Sequence, residues 1–238
     1  MYRYEMHQHT AGCSACAEIE ADKLIPLLKQ QGFAGMVLTN HFFHGNTAIR
    51  RQIPWADFVR AYEEDWLRAK ELGDRLDFDV LFGIEEWVGD GKNVLRVGGK
   101  EVLLYGITPQ TLYDHPELRN FTHSETYLKA LCDMTHEAGG LVMQAHPFRV
   151  RDYIANPWEP LPTAYLDGME TYNACNSPLE NRRAEQYAEA EGLIPVAGTD
   201  AHHTDTYRYG IVTERRLRTG EDLIDVLTNG DYDLYIPE

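Results

Sequence analysis

Seven short apolar runs, separated by amphipathic or irregular stretches, constrain this chain more than any other feature. They are YRYEM (2–6), GMVLT (35–39), FDVLFGI (78–84), EVLLYGI (101–107), GLVMQA (140–145), GMETY (168–172) and LIPVAG (193–198). Apolar runs this short, bounded by turn residues, read as buried strands. Helical patterns fill most of the gaps. Pro54 leads into a helix over 55–72. Residues 124–138 carry Leu128, Leu131 and Met134 at helical spacing, with Thr122 or Ser124 as cap, Glu125 completing a capping box and Gly139–Gly140 at the end. The segment 177–192 has a Ser177 cap, Pro178 at the first position, Glu180 closing the box and Gly192 as the stop. A further helix starts near Thr219 and runs through 221–230. Such alternation predicts a parallel sheet with helices outside it, either an open doubly wound sheet or a closed barrel. No repeat or linker divides residues 1–238, which read as a single domain, and the proline-rich stretch 149–166 reads as a long loop over a pocket.

Five of the runs end in residues that bind metals. YEMHQH ends in His7 and His9, GMVLTNH in His41, VLFGIEE in Glu85, LVMQAH in His146, and PVAGTDAH in Asp200 and His202. In a barrel of parallel strands the C-terminal strand ends converge on one face, so residues remote in sequence become neighbours. His7 and His9 are two apart on a strand and leave the same side of it. A lone strand-end histidine is usually a polar cap, and Asp200 alone reads equally well as a helix N-cap. Five such endings at one end of the inferred sheet are not explained that way. A mixture of imidazole and carboxylate suits Zn, Mn or Fe better than Mg or Ca.

The rest of the chain narrows the function. Asp and Glu number 38 against 22 Lys and Arg, a formal net charge of −16. That balance makes a nucleic-acid polymer an unfavourable partner, since binding one requires Lys and Arg to displace phosphate counterions. No apolar run is long enough for a membrane span, no secretory leader is legible, and four cysteines are too few for a secreted disulfide framework, which predicts a cytoplasmic protein.

The strand-end stretches, HQHT (7–10), TNH (39–41), GIE (83–85), AHP (145–147) and GTDAH (198–202), resemble in order the motifs of the PHP family, named for polymerase and histidinol phosphatase domains. The resemblance spans nearly the whole chain. It implies a distorted TIM-like (β/α)7 barrel and hydrolysis of a phosphate ester by a metal-activated water, with two or three divalent ions as cofactors, and the acidic charge balance narrows the ester to a small metabolite or nucleotide. By position it gives His7, His9, Glu85 and Asp200 to a first ion, with Glu85 bridging to a second held by His146. It gives His41 and His202 to a third.

Three positions depart from the family pattern. Asn40 stands where an Asp is usual. Thr108 follows the fourth strand where a second-ion histidine is expected, with His115 as its substitute. The loop 11–18 offers only Cys16 or Glu18 to the third ion. Cys13 and Cys16 also form a C-x-x-C, readable as a redox pair, although ligation by Cys16 fits the context better. Arg149, beside His146, is a candidate phosphate clamp. His44 and His203 are candidate proton donors to a leaving group, and Glu170 and Asn173 reach another strand end. Two rival functions remain open at this point: amide hydrolysis on the same metal site, and a metal-binding regulatory module without catalysis.

Overall fold

The computed structural model describes residues 1–89, 99–121, 124–204 and 208–237. All seven apolar runs become strands: β1 (Tyr2–Gln8), β2 (Gly35–Leu38), β3 (Asp79–Gly89), β4 (Gly99–Tyr105), β5 (Leu141–Gln144), β6 (Gly168–Asn173) and β7 (Ile194–Gly198). Two more, β8 (Gly210–Thr213) and β9 (Tyr232–Tyr235), join the same sheet, whose order is β7-β6-β5-β4-β3-β2-β1-β8-β9. The sheet curls until β1 and β7 meet. The Asp200 amide donates to the His7 carbonyl at 2.8 Å, and Gln8 bridges Ala201 in parallel. The result is a nearly closed, distorted barrel, with β8 and β9 carried antiparallel on the outer side of β1.

One expectation is corrected. The barrel is not all-parallel, because β4 runs antiparallel to both β3 and β5. Its N-terminal end, with Glu101, therefore lies at the same end of the barrel as the C-terminal ends of its neighbours. Its C-terminal end, with Thr108, lies at the opposite one. Thr108 is the N-cap of the short helix α3 (Pro109–Asp114) and accepts from the Thr111 amide there.

The helices form where capping and periodicity place them. Helix α1 (Ala21–Gln30) precedes α2 (Trp55–Arg75), which packs Phe58, Tyr62 and Ala69 inward. In α5 (Pro178–Glu191) the Ser177–Glu180 capping box is present and Gly192 ends the helix at φ +68°. In α6 (Gly220–Asn229) Thr219 and Asp222 form the box and Gly230 the stop. Helix α4 spans Ser124–Glu137, and Thr122 of its expected cap lies outside the described residues. Among the described residues no helix is long and apolar enough to cross a membrane.

Strand periodicity sets polar chemistry on top of apolar packing. On β3, Leu81 and Glu85 share a face, and on β4 so do Glu101, Leu103 and Tyr105. Leu81, Leu103, Tyr105, Met143 and Val196 are buried in one cluster. The carboxylates occupy the same faces at the site end.

Candidate metal centre

Histidines and carboxylates from six strand ends converge around Glu85. Its Oε1 lies 3.2 Å from His7 Nε2 and 3.1 Å from His146 Nε2. Its Oε2 lies 3.4 Å from His9 Nε2 and 2.8 Å from His41 Nδ1. Asp200 Oδ1 approaches His9 Nε2 at 3.1 Å and His7 Nε2 at 3.5 Å. Three overlapping donor groups have the proximity a metal ion needs: His7, His9, Glu85 and Asp200; His41, Glu85 and Glu101; and His9, His41 and His202. Glu85 belongs to two of them, as a bridging carboxylate does. His146 sits with the second group, its Nε2 3.3 Å from Glu101 Oε2.

Hydrogen bonds behind the rings set which nitrogen faces inward. His7 Nδ1 lies 3.2 Å from Glu170 Oε1, and Glu170 Oε2 in turn accepts from the His146 amide and from Asn173 Nδ2, each at 2.8 Å. His9 Nδ1 donates to Ser14 Oγ at 2.9 Å, while that hydroxyl donates to Asn40 Oδ1 at 2.9 Å. His202 Nδ1 donates to the Asp200 carbonyl at 2.9 Å. With Nδ1 the donor in each ring, every Nε2 presents a lone pair.

That arrangement fits cations. His7 Nε2 and His9 Nε2 lie 3.1 Å apart, two acceptors converging on one point. His41 Nδ1 and Glu85 Oε2 are both buried without an aligned hydrogen bond. Orphaned buried polar atoms are costly, and a shared cation satisfies them. Charge is compensated inside the cluster: burial lowers His7 and His41, but the carboxylates around them, Glu85 first, outweigh it and raise both well above the ordinary histidine value, so these two imidazoles stand where cations would. Burial, aided by the charge of His41, pushes His9 down to about 3, keeping it neutral. Burial raises Glu85 and Asp200, but His7 and His41 around the first, and Arg149 and His7 around the second, hold both well below the ordinary carboxylate range. Burial likewise raises Cys16, and hydrogen bonds from His202 and His41 outweigh it, bringing the thiol to about 6. His9 as neutral imidazole, the two carboxylates and the thiolate are in the forms that bind metals, and a bound ion would displace the protons that the carboxylates hold on His7 and His41.

The structure brings His7, His9, His41, Glu85, His146, Asp200 and His202 together as the sequence predicts. Cys16 and His203 line the pocket above them. Two candidates are corrected. His44 does not reach the pocket: its Nε2 bonds the Leu118 carbonyl at 3.1 Å and its ring packs edge-on against Tyr127. His115 caps α3 and pairs with Glu117 at 2.8 Å, at the end of the barrel to which β4 carries Thr108. The carboxylate that β4 brings to the site end, where the family pattern leads one to expect His115 in place of Thr108, is Glu101, buried at the start of the strand.

Arg149 is buried, and its guanidinium is held by the protein itself: Nη1 to Asp200 Oδ2 at 2.5 Å, Nη2 to Asn173 at 2.8 Å and Nε to Asn176 at 2.7 Å. It turns the outer oxygen of Asp200 away, leaving Oδ1 for the rings of His7 and His9. Cys13 packs in the core while Cys16 lines the pocket, and all four cysteines are free.

Asn40 anchors the loop after β1. Its Oδ1 accepts from the Thr10 amide at 2.7 Å, and its Nδ2 donates to Thr10 Oγ1 at 2.8 Å and to Asp65 Oδ2 at 3.0 Å. Asp65, buried on α2, also accepts from Thr10 Oγ1 at 2.7 Å. The carboxylate missing at position 40 is present at 65.

Residues 178–232 match the family model described as PHP-associated. No curated protein matches the chain by sequence. Solved structures match across most of it. A two-domain protein from Bacteroides vulgatus containing a predicted PHP-like metal-dependent phosphoesterase aligns with a TM-score of 0.65 and 12% identity, over 99% of this chain and 64% of the other. The lesion-specific endonuclease of Pyrococcus furiosus aligns at 0.62 and 15%, over 98% and 57%. An amidohydrolase from Chromobacterium violaceum, with bound sulfate and no metal, aligns at 0.56 and 14%, over 84% and 87%. At these identities the likeness is one of fold.

Proposed function

We propose that this chain is a PHP-type enzyme that hydrolyses a phosphate ester of a small metabolite or nucleotide, a reading supported by its strand-end motifs, its barrel fold and the PHP-associated match over residues 178–232. Residues 1–238 act as one catalytic unit using two or three divalent ions of the Mn, Zn or Fe class. The observation that carries this reading is the convergence of four imidazoles on the two oxygens of buried Glu85.

His7, His9, Glu85 and Asp200 would hold one ion; His146, Glu85 and Glu101 a second; His41, His202 and Cys16 a third. Divalent cations there supply Lewis acidity, which acidifies water and offsets the charge of a phosphoryl group. Arg149 orients Asp200 and adds a fixed positive charge to the pocket wall. His203 lines the mouth with about half its side chain exposed, within 3.1 Å of Glu18, and is placed to pass a proton to a departing alkoxide. Glu170 holds His7 and the His146 amide in place rather than touching substrate.

The test is elemental analysis of protein purified without chelator or metal-binding tag, followed by a screen of phosphate mono- and diesters beside cyclic amides. Two or more ions per chain with phosphoester turnover bear the proposal out. Turnover of amides alone, or a single ion and no turnover after reconstitution, overturns it.

A further inference from the structure

The pocket above the donor cluster has an aromatic wall that the chemistry at its floor does not use. Trp87 lies two residues beyond Glu85 on the same face of β3, directly across from Glu101. Its indole lies over Gly89 and Gly99, which are themselves a cross-strand pair, and a Cβ at either position would run into the ring. The two glycines form a flat backbone seat for one face of the indole. Trp87 nevertheless stays partly exposed and lines the pocket.

Tyr153 lines the same pocket. Ile154 bridges Gly99, and the Ala155 amide donates to the Gly99 carbonyl at 2.8 Å, so the 149–156 loop is fastened to the strand that seats the indole. Lys100 Nζ adds bonds to the carbonyls of Ala155 and Asn156, at 2.7 and 2.9 Å. Tyr153 is 42% exposed and accepts at its hydroxyl from Arg149 Nη1 at 3.3 Å. Covering a glycine pair is a recognised structural use of an aromatic side chain. That use explains the seated face of Trp87. It does not account for a second, exposed ring tethered at the same mouth by a buried arginine.

We propose that Trp87 and Tyr153 form a stacking subsite, so that the substrate is a phosphate ester whose alcohol carries a planar ring of aryl or nucleoside type. The phosphate points to the donor cluster and the ring lies on the wall. This rests on the phosphoesterase reading and names its substrate class. A pocket of about 470 Å3 suits a ligand of that size. The net charge of −16 favours one small ester over a polyanionic chain.

The experiment uses the metal-loaded full chain with adenosine 5′-monophosphate, benzyl phosphate and glycerol phosphate. All three leave as alkyl alcohols, so leaving-group acidity does not mimic ring recognition. The expected result is a kcat/KM about ten-fold or more higher for the ring-bearing esters, the size of one stacking contact. The ratio should fall toward unity in Trp87→Leu and, independently, in Tyr153→Ala, an exposed loop position where misfolding is not at issue. Preference for the nucleotide over benzyl phosphate identifies a nucleoside source, and the reverse an aryl one. Equal turnover of ring and glycerol esters overturns the subsite while leaving the phosphoesterase intact. Binding is read separately by calorimetry. If no ester is hydrolysed, the phosphoesterase reading fails, and the subsite stands only if the ring-bearing esters bind at least ten-fold more tightly than glycerol phosphate and Tyr153→Ala removes that margin.

Discussion

Asn40→Asp, which would restore the acidic residue usual in the motif, should damage this protein. Asn40 is 2% exposed and Asp65 4% exposed, and Asn40 Nδ2 lies 3.0 Å from Asp65 Oδ2. An aspartate at 40 would turn that hydrogen bond into a contact between carboxylate oxygens. At an effective dielectric of about 20, two unit charges about 3 Å apart repel by roughly 5 kcal/mol. Taking up a shared proton relieves part of this, and holding one carboxyl protonated about 3 units above its normal range still costs about 4 kcal/mol at neutral pH. Arg68 reaches Asp65 at 3.1 Å but is 64% exposed, so it offsets little. For a chain of this length the loss corresponds to a drop in Tm on the order of 10 °C. Because Asn40 also holds the Ser14 hydroxyl that fixes the His9 ring, ion content should fall with stability. The reciprocal variant Asn40→Asp/Asp65→Asn returns one amide and one carboxylate to the same place and should recover most of both. Thermal unfolding by circular dichroism and elemental analysis of the wild type, both single variants and the double variant measure the coupling. Additive losses in the double variant would refute the reasoning.

Glu101→Gln keeps the shape of the side chain and removes its charge; it should cost about one bound ion per chain in elemental analysis, while Thr108→Ala, at the far end of the barrel, should cost none. Cys16→Ser should lower metal content without abolishing it, and the cobalt-loaded protein should lose a near-ultraviolet thiolate-to-metal band; an unchanged spectrum removes Cys16 from the ligands. Glu180→Ala should lower stability by about 1 kcal/mol at neutral pH, since its carboxylate accepts from the Ser177 amide and from the Val150 amide of the loop that carries Arg149. Burial raises the Glu180 carboxyl but those backbone bonds hold it below its ordinary value. Its contribution is therefore present above the unfolded value near ~4.3 and lost as pH falls through the lower folded one. The wild-type and variant melting curves should converge in acid, and a gap that persists there counts against this account.

The positions of the main strands and of the histidines and carboxylates that end them are legible in the sequence because strand residues alternate and polar residues at run ends stand out. Direction is not. A period of two reads the same forwards and backwards, so EVLLYGI shows a strand without showing that it is reversed. Glu101 therefore reads as an ordinary leading residue, and the pattern puts the candidate donor beyond Ile107. The one available signal was a carboxylate heading a run that is otherwise apolar. Asp65 gave a similar signal, falling on the inward stripe of α2 with Phe58, Tyr62 and Ala69. His44 and His115 lie near expected ligand positions in sequence, but nearness in sequence does not fix where a side chain points. Pro26 inside helix α1 obscures it, and β8 and β9 go unread although β2 and β5 are equally short, because β8 carries only Ile211 and Val212 as apolar residues and β9 is partly buried at most and interrupted by Asp233.

The reversal of β4 also sets the electrical balance of the site. Glu85, Glu101, Asp200 and Cys16 are the donors that carry negative charge among the groups assigned to the ions. Were three dications seated among them, the assembly would keep two positive charges in excess, equal and opposite to a phosphate monoester dianion. An imidazole in place of Glu101 would raise that excess to three. By turning one strand around, the fold places a carboxylate at the site end of β4, and on the proposed reading the loaded cluster would then match the charge of a terminal phosphate.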